Sequence, residues 1–187
     1  SASEAFIAHV LTELDALTTS DSATDRALLT DAQRVGLVEA GLTALGRLTG
    51  LVQSWVAEAD QAGSPQVVVG VGTLSWLHDA HRLTRSEAGA LVRQGHDLVA
   101  LPRLREAVLA GEASPAQARA VSRVLAKLPA DLPDATLRKA EAMMVGYCNQ
   151  FDSTELGRLA RHLLEVVAPE IAEDETARRL ERELATA

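Results

Sequence analysis

Residues 73–128 read TLSWLHDAHRLTRSEAGALVRQGHDLVALPRLREAVLAGEASPAQARAVSRVLAKL. Two units follow each other in this stretch, each a short helix, a tight turn and a longer helix. In the first, residues 73–81 form the short helix. Thr84 and Glu87 have the spacing of a capping box, which satisfies two orphan amides at a helix start. The helix they open turns Ala88, Leu91, Val92 and Leu98 inward. In the second, Pro102 begins a helix that stops at Gly111, and Ser114-Pro115 begins the next with a serine cap and a proline in the first turn. That last helix points Ala118, Val121, Val124, Leu125 and Leu128 toward a core and stops at Leu128-Pro129.

The surrounding composition is that of a helical protein. Ala and Leu make up 61 of the 187 residues, whereas Ile occurs twice and aromatics account for 3%. Good helix formers dominate and strand formers are scarce, so the fold class is all-α. The expected architecture is a multi-helix bundle with one long central helix and two helix-turn-helix-like units. One cysteine, Cys148, excludes an internal disulfide and a cysteine-rich zinc site, which fits a reducing cytoplasm.

Toward the N-terminus, residues 3–17 place Phe6, Ile7, Val10, Leu14 and Leu17 on one side of a helix. Leu17 to Thr24 reads as a polar loop, with Thr24 or Asp25 capping the next helix. From Arg26 to about Gln61 no proline interrupts the pattern. Val35, Val38, Leu42, Leu45, Thr49, Val52, Val56 and Ala59 keep a heptad rhythm, and a second stripe runs through Leu37, Ala44, Leu48, Leu51 and Trp55. A helix apolar around most of its circumference calls for burial from two sides, in a bundle or in a homodimer seam. Gly36, Gly41, Gly46 and Gly50 suit a close helix approach. Its longest charge-free run, Leu48 to Ala57, is far short of a membrane span, and no membrane association is expected. Gln66 to Gly72 is β-branched and reads as extended. Downstream, helices are expected from Pro133 or Asp134 to about Phe151 and, after an Asp152/Glu155 capping box, through Val167. Pro169 opens a charged last helix. The divisions are 1–72, 73–128 and 129–187, within one compact domain.

Charge is unevenly spread over the net of −8. Residues 73–128 carry eight basic and five acidic side chains, whereas residues 1–72 carry three and nine. An acidic body with one basic segment suits local contact with a polyanion. Arg119, Arg123 and Lys127 form an i, i+4, i+8 ridge, and Gln117 sits where base-reading side chains lie in such helices. The earlier unit offers Arg82, Arg85, Arg93 and Gln94. All of these except Gln94 are the candidate DNA-binding residues. His78 and His81 lack a third ligand, so no metal and no cofactor are expected. Trp55 and Trp76 read as core anchors, and Met143, Met144, Tyr147 and Cys148 as packing residues. No nucleophile, triad or metal cluster points to catalysis.

Trp76-Leu77, Glu87-Ala88, Leu101-Pro102, then Gly111-Glu112, Ser114 and Gln117-Ala118 come in an order that resembles the bacterial family called domain of unknown function 222, from about Leu28 to Leu184. The resemblance implies a module N-terminal to an HNH endonuclease domain in a longer parent chain. The clustered histidines and cysteines of such a nuclease are not found in this sequence, so nuclease activity is not carried over. Ala107, Gly111, Ser114 and Ala118 also resemble the helix-turn-helix of partition-protein DNA binders. Together these imply a non-catalytic DNA-binding or target-recognition module. The alternative is a protein-protein or homodimerisation module built on the long helix.

Overall fold

The structure, a computed structural model, describes residues 1–128 and 132–167. The protein is all-α, with ten helices and no strand among the described residues. They are α1 (Ala2–Ser20), α2 (Ala23–Ala27), α3 (Asp31–Gln61), α4 (Ser64–Val69), α5 (Thr73–His81), α6 (Arg85–Ala100), α7 (Pro102–Ala110), α8 (Pro115–Leu125), α9 (Asp134–Gly146) and α10 (Ser153–Val167). The charged segment after Pro169 and the Pro129 stop lie outside the described residues. The chain separates into two compact units, Ser1–Leu42 and the residues from Thr43 onward. The boundary falls within α3 and not at residue 72, where the charge changes sign.

In the first unit, no described side chain is buried. Phe6, Leu14 and Leu17 of α1 are exposed, as are Val35, Val38 and Leu42 of α3. The chain itself therefore does not cover the first half of the long helix, so the bundle alternative does not hold there. The polar run 17–24 is not a loop throughout. α1 continues to Ser20, and Ser22, not Thr24 or Asp25, caps the short α2 by accepting from the Asp25 amide. Thr30 and Gln33 then start α3 by exchanging hydrogen bonds between side chain and backbone.

The second unit holds two apolar cores. The larger gathers Leu98 and Leu101, Leu104 and Val108 of α7, Val121 and Leu125 of α8, Met144 of α9, and Leu156, Ala160 and Leu164 of α10. The smaller joins Val56 of α3, Leu77 of α5 and Ala88 of α6, with Trp76, Leu83, Leu91 and Val92 packed on it. The second half of α3 is drawn tightly onto α6 and α7. A Cβ built on Gly95 would lie 2.3 Å from the Gln53 carbonyl oxygen, and one on Gly50 would lie 2.6 Å from Val108. Only glycine allows these approaches. Gln53 and Ser54 are buried with the helix, and both are bonded. Gln53 donates to Gln94 at 2.7 Å, while Ser54 donates to the Gly50 carbonyl and accepts from Arg105. At its end, Asp60 accepts from His96 at 2.8 Å. Hydrogen bonds from His96, and then Thr73, hold the Asp60 carboxyl below its ordinary range.

Two polar contacts fasten α7 from its ends. Glu141 of α9, 2% exposed, accepts from the Leu104 amide in the first turn, where a negative charge suits the helix dipole. Arg47 of α3 donates to the Leu109 carbonyl in the last turn.

The run Gln66–Gly72 departs from the extended expectation, because Ser64–Val69 forms α4. Pro65 presets the first turn, Gly63 and Gly70 take left-handed conformations at the two ends, and no strand among the described residues offers a pairing edge. Val67 and Val68 consequently face solvent. Helix α9 ends at Gly146, short of Phe151, in a series of turns. By length and composition α3 is apolar enough to cross a membrane, contrary to the reading of its charge-free run, since Glu39 and Arg47 are the only charges between Arg34 and Glu58.

The two classes of helical glycine separate in a denaturation experiment. Gly95→Ala forces a methyl group against backbone and lowers unfolding free energy by about 2–3 kcal/mol. Gly36→Ala meets open space, and removing the helix cost of glycine stabilises by about 0.5–1 kcal/mol. Urea unfolding followed by circular dichroism reads both.

Candidate nucleic-acid interface

Helices α7 and α8 are joined by a tight turn built from the residues the sequence nominates. Gly111 adopts φ 84° and ends α7, and the Glu112 and Ala113 amides both bond back to the Ala107 carbonyl. Ser114 then caps α8, accepting from the Gln117 amide, while the Gln117 side chain accepts from the Ser114 amide at 2.8 Å. The earlier unit repeats the device with Thr84 and Glu87 at the head of α6. Accepting from Thr84 twice holds the Glu87 carboxyl below its ordinary range. The α5–α6 turn differs in one respect. Arg82 occupies a left-handed conformation at φ 55°, the position a glycine takes elsewhere in the chain.

The nominated side chains divide into free and occupied groups. Arg119 and Arg123 are exposed on the outer face of α8, and neither has a carboxylate partner among the described residues. Arg82 and Arg85 are likewise exposed. Arg93 is exposed but lies back along its own helix, with its guanidinium beside Gly89. Lys127 is half-buried and already partnered, so it does not extend the ridge as a free cation.

The sequence places Gln117 where a base reader would sit, and the geometry corrects this. Its amide nitrogen donates to the carbonyls of Cys148 at 2.7 Å and Phe151 at 2.8 Å, and its oxygen is held by Ser114. The hydrogen-bonding edge it would offer a base is spent on joining α8 to the turn before α10. Gln94 is occupied similarly, by Gln53.

Two further arginines belong to the surface and escape the sequence reading. The Gln117 contacts set the start of α8 beside the start of α10. One turn on, a Cβ at Gly157 of α10 would lie 4.0 Å from the Ala120 methyl of α8. Arg161 is exposed and donates through Nε to the Gly157 carbonyl, so its side chain runs back toward this seam. Arg123 follows Ala120 by three residues on the facing helix, and Arg158 follows Gly157 directly and is exposed. The small pair Ala120/Gly157 thus lets α8 and α10 approach closely, and each helix carries two exposed arginines near the contact in sequence. In sequence, Arg158 and Arg161 are diluted by Glu155 and Glu165, the latter within 3.1 Å of His162.

The histidines and the cysteine serve packing and local contacts. His78 bonds the Leu83 carbonyl at 2.6 Å, and the His81 ring meets Trp76 edge-on, so the two imidazoles serve separate contacts. No group of three or more His, Cys, Asp or Glu suited to a metal occurs among the described residues. Cys148 is buried, with its thiol pushed up by desolvation.

The division between occupied and free side chains is measurable. Gln117→Ala leaves two carbonyls without donors and lowers stability by about 2–3 kcal/mol, whereas Arg119→Ala and Arg123→Ala shift it by less than about 0.5 kcal/mol. Thermal and urea denaturation of the three variants checks this.

The family model described as domain of unknown function 222 matches residues 13–187. No curated protein and no solved structure matches the chain. With nearly its whole length matched, and with the capped α6 and α8 helices in the positions that carried the resemblance, the chain belongs to the family of domain of unknown function 222.

Proposed function

We propose that this chain is a non-catalytic, cytoplasmic DNA-binding module, acting for an HNH nuclease domain in a longer parent chain. The observation that carries the reading is the state of Arg119 and Arg123. They are exposed, unpaired among the described residues, and mounted on a rigidly capped helix after a left-handed glycine turn. Neither is neutralised by Glu106, Glu112 or Asp97; Asp97 instead accepts from Ser122 at 3.3 Å. Arg158 and Arg161, exposed on the neighbouring α10, add two cations to those of α8. The short α7, the left-handed turn at Gly111 and the capped α8 support a helix-turn-helix reading, in which the second helix would enter the major groove. Arg82 and Arg85 form a separate, smaller group for phosphate contact.

DNA binding is expected at about 50 mM salt and weakens steeply as salt rises, because phosphate contacts release counterions. The double variant Arg119→Ala/Arg123→Ala costs on the order of 1–3 kcal/mol if either reads a base, or flattens the salt slope by roughly one unit per lost phosphate contact. Arg158→Ala/Arg161→Ala flattens the slope without changing sequence preference. Gel shifts and fluorescence anisotropy with duplex and single strands measure both. Absence of binding to either at low salt removes the reading.

A second reading, a homodimerisation module, is favoured by the first unit. Its helices bury no described side chain, and Val38 and Leu42 are 59% and 65% exposed. Exposed apolar stripes of this extent mark interaction surfaces. On this reading light scattering gives twice the chain mass, and Val38→Glu/Leu42→Glu returns the monomer. A monomer across the accessible concentration range ends it.

A further inference from the structure

Beside the smaller core, α3, α5 and α6 line a half-open cavity of about 490 Å³. That volume is within the range of small-molecule sites, roughly 300–1,000 Å³. Trp55 and Trp76 form walls, Val56, Leu77 and Leu91 line the interior, and Val52 stands at the rim, 37% exposed. Among the described residues, no Asp, Glu, Lys or Arg side chain lines it. His81 is the polar member, and its ring is set edge-on to Trp76 with centroids 5.1 Å apart and planes at 87°.

We propose that this cavity binds a neutral, flat, predominantly apolar small molecule of two or three rings. Its size follows from the volume. Its shape follows from the two indoles, which favour stacked or edge-on rings. Its neutrality follows from the lining, since a charge brought there would lose hydration with no counter-charge to replace it. A single hydrogen bond from or to the His81 ring is the polar contact on offer. None of Arg119, Arg123, Arg158 and Arg161 lines the cavity, so the dye titration is separate from any test of the α8 and α10 arginines.

Both tryptophans of the chain line the cavity, so indole emission reports on it directly. The test titrates the full chain with N-phenyl-1-naphthylamine, a neutral two-ring dye with a phenyl group, and with 1-anilinonaphthalene-8-sulfonate, the same ring system bearing a sulfonate. The expected result is saturable one-to-one binding of the neutral dye with emission sensitised by tryptophan, and about tenfold or more weaker binding of the sulfonate. Val52→Asp puts a carboxylate at the solvent-facing rim and abolishes neutral-dye binding while leaving the unfolding midpoint in place. Leu91→Trp fills the space and does the same. No saturable binding, equal binding of the two dyes, or binding indifferent to Val52→Asp overturns the proposal. So does a dimer in sedimentation runs that Val52→Asp dissociates, which would make a second copy the occupant.

Discussion

Helix α3 lies so close to α6 that the Gly95 Cα faces the Gln53 carbonyl with no room for a side chain. Much of the second unit depends on that approach. It carries Gln53 and Ser54 into the interior, where they must find partners, and they find them in Gln94 and Arg105. It brings Gly50 under Val108 and Arg47 within reach of the last turn of α7, which positions α7 over the larger core. From α7 the left-handed turn at Gly111 and the Ser114 cap set the direction of α8. The same α6 also meets the arginine-bearing helix directly, where Asp97 accepts from Ser122 of α8 at 3.3 Å.

The all-α class is legible in the alanine and leucine content. The helix starts at Thr84 and Ser114 are legible because capping is local chemistry: the partners lie three residues apart. The features that escape the sequence are non-local. Three consecutive valines in QVVVG look extended in isolation, yet proline and two flanking glycines close them into a short helix with Val67 and Val68 outside. The heptad rhythm of α3 gives the helix but not where the chain covers it, since periodicity reports which side is apolar and not what packs on it. Of the candidate interface, the arginines' exposure can be anticipated from their spacing. The capture of Gln117 by carbonyls more than thirty residues away cannot, because backbone acceptors leave no mark in composition. Arg158 and Arg161 enter only once Ala120 and Gly157 are known to meet.

The two units contrast in how they satisfy their side chains. From Thr43 onward, buried polar groups are bonded: among the described residues no buried side-chain nitrogen or oxygen lacks a partner. Even Glu141, a carboxylate sealed in the larger core, is matched to a helix amide. Before Thr43, the apolar side chains of α1 and α3 contact solvent.

Cys148 is the chain's single thiol, buried in the larger core and bonded to the Met144 carbonyl at 3.5 Å. Its burial gives the protein a silent background for maleimide chemistry. One cysteine introduced on an exposed helix face reacts alone, without first replacing a core residue. Spin labels or fluorophores can thus be walked along α1, α3 or α8 in an otherwise native chain, and a pair of such cysteines, one in each unit, gives the distance between the units in solution.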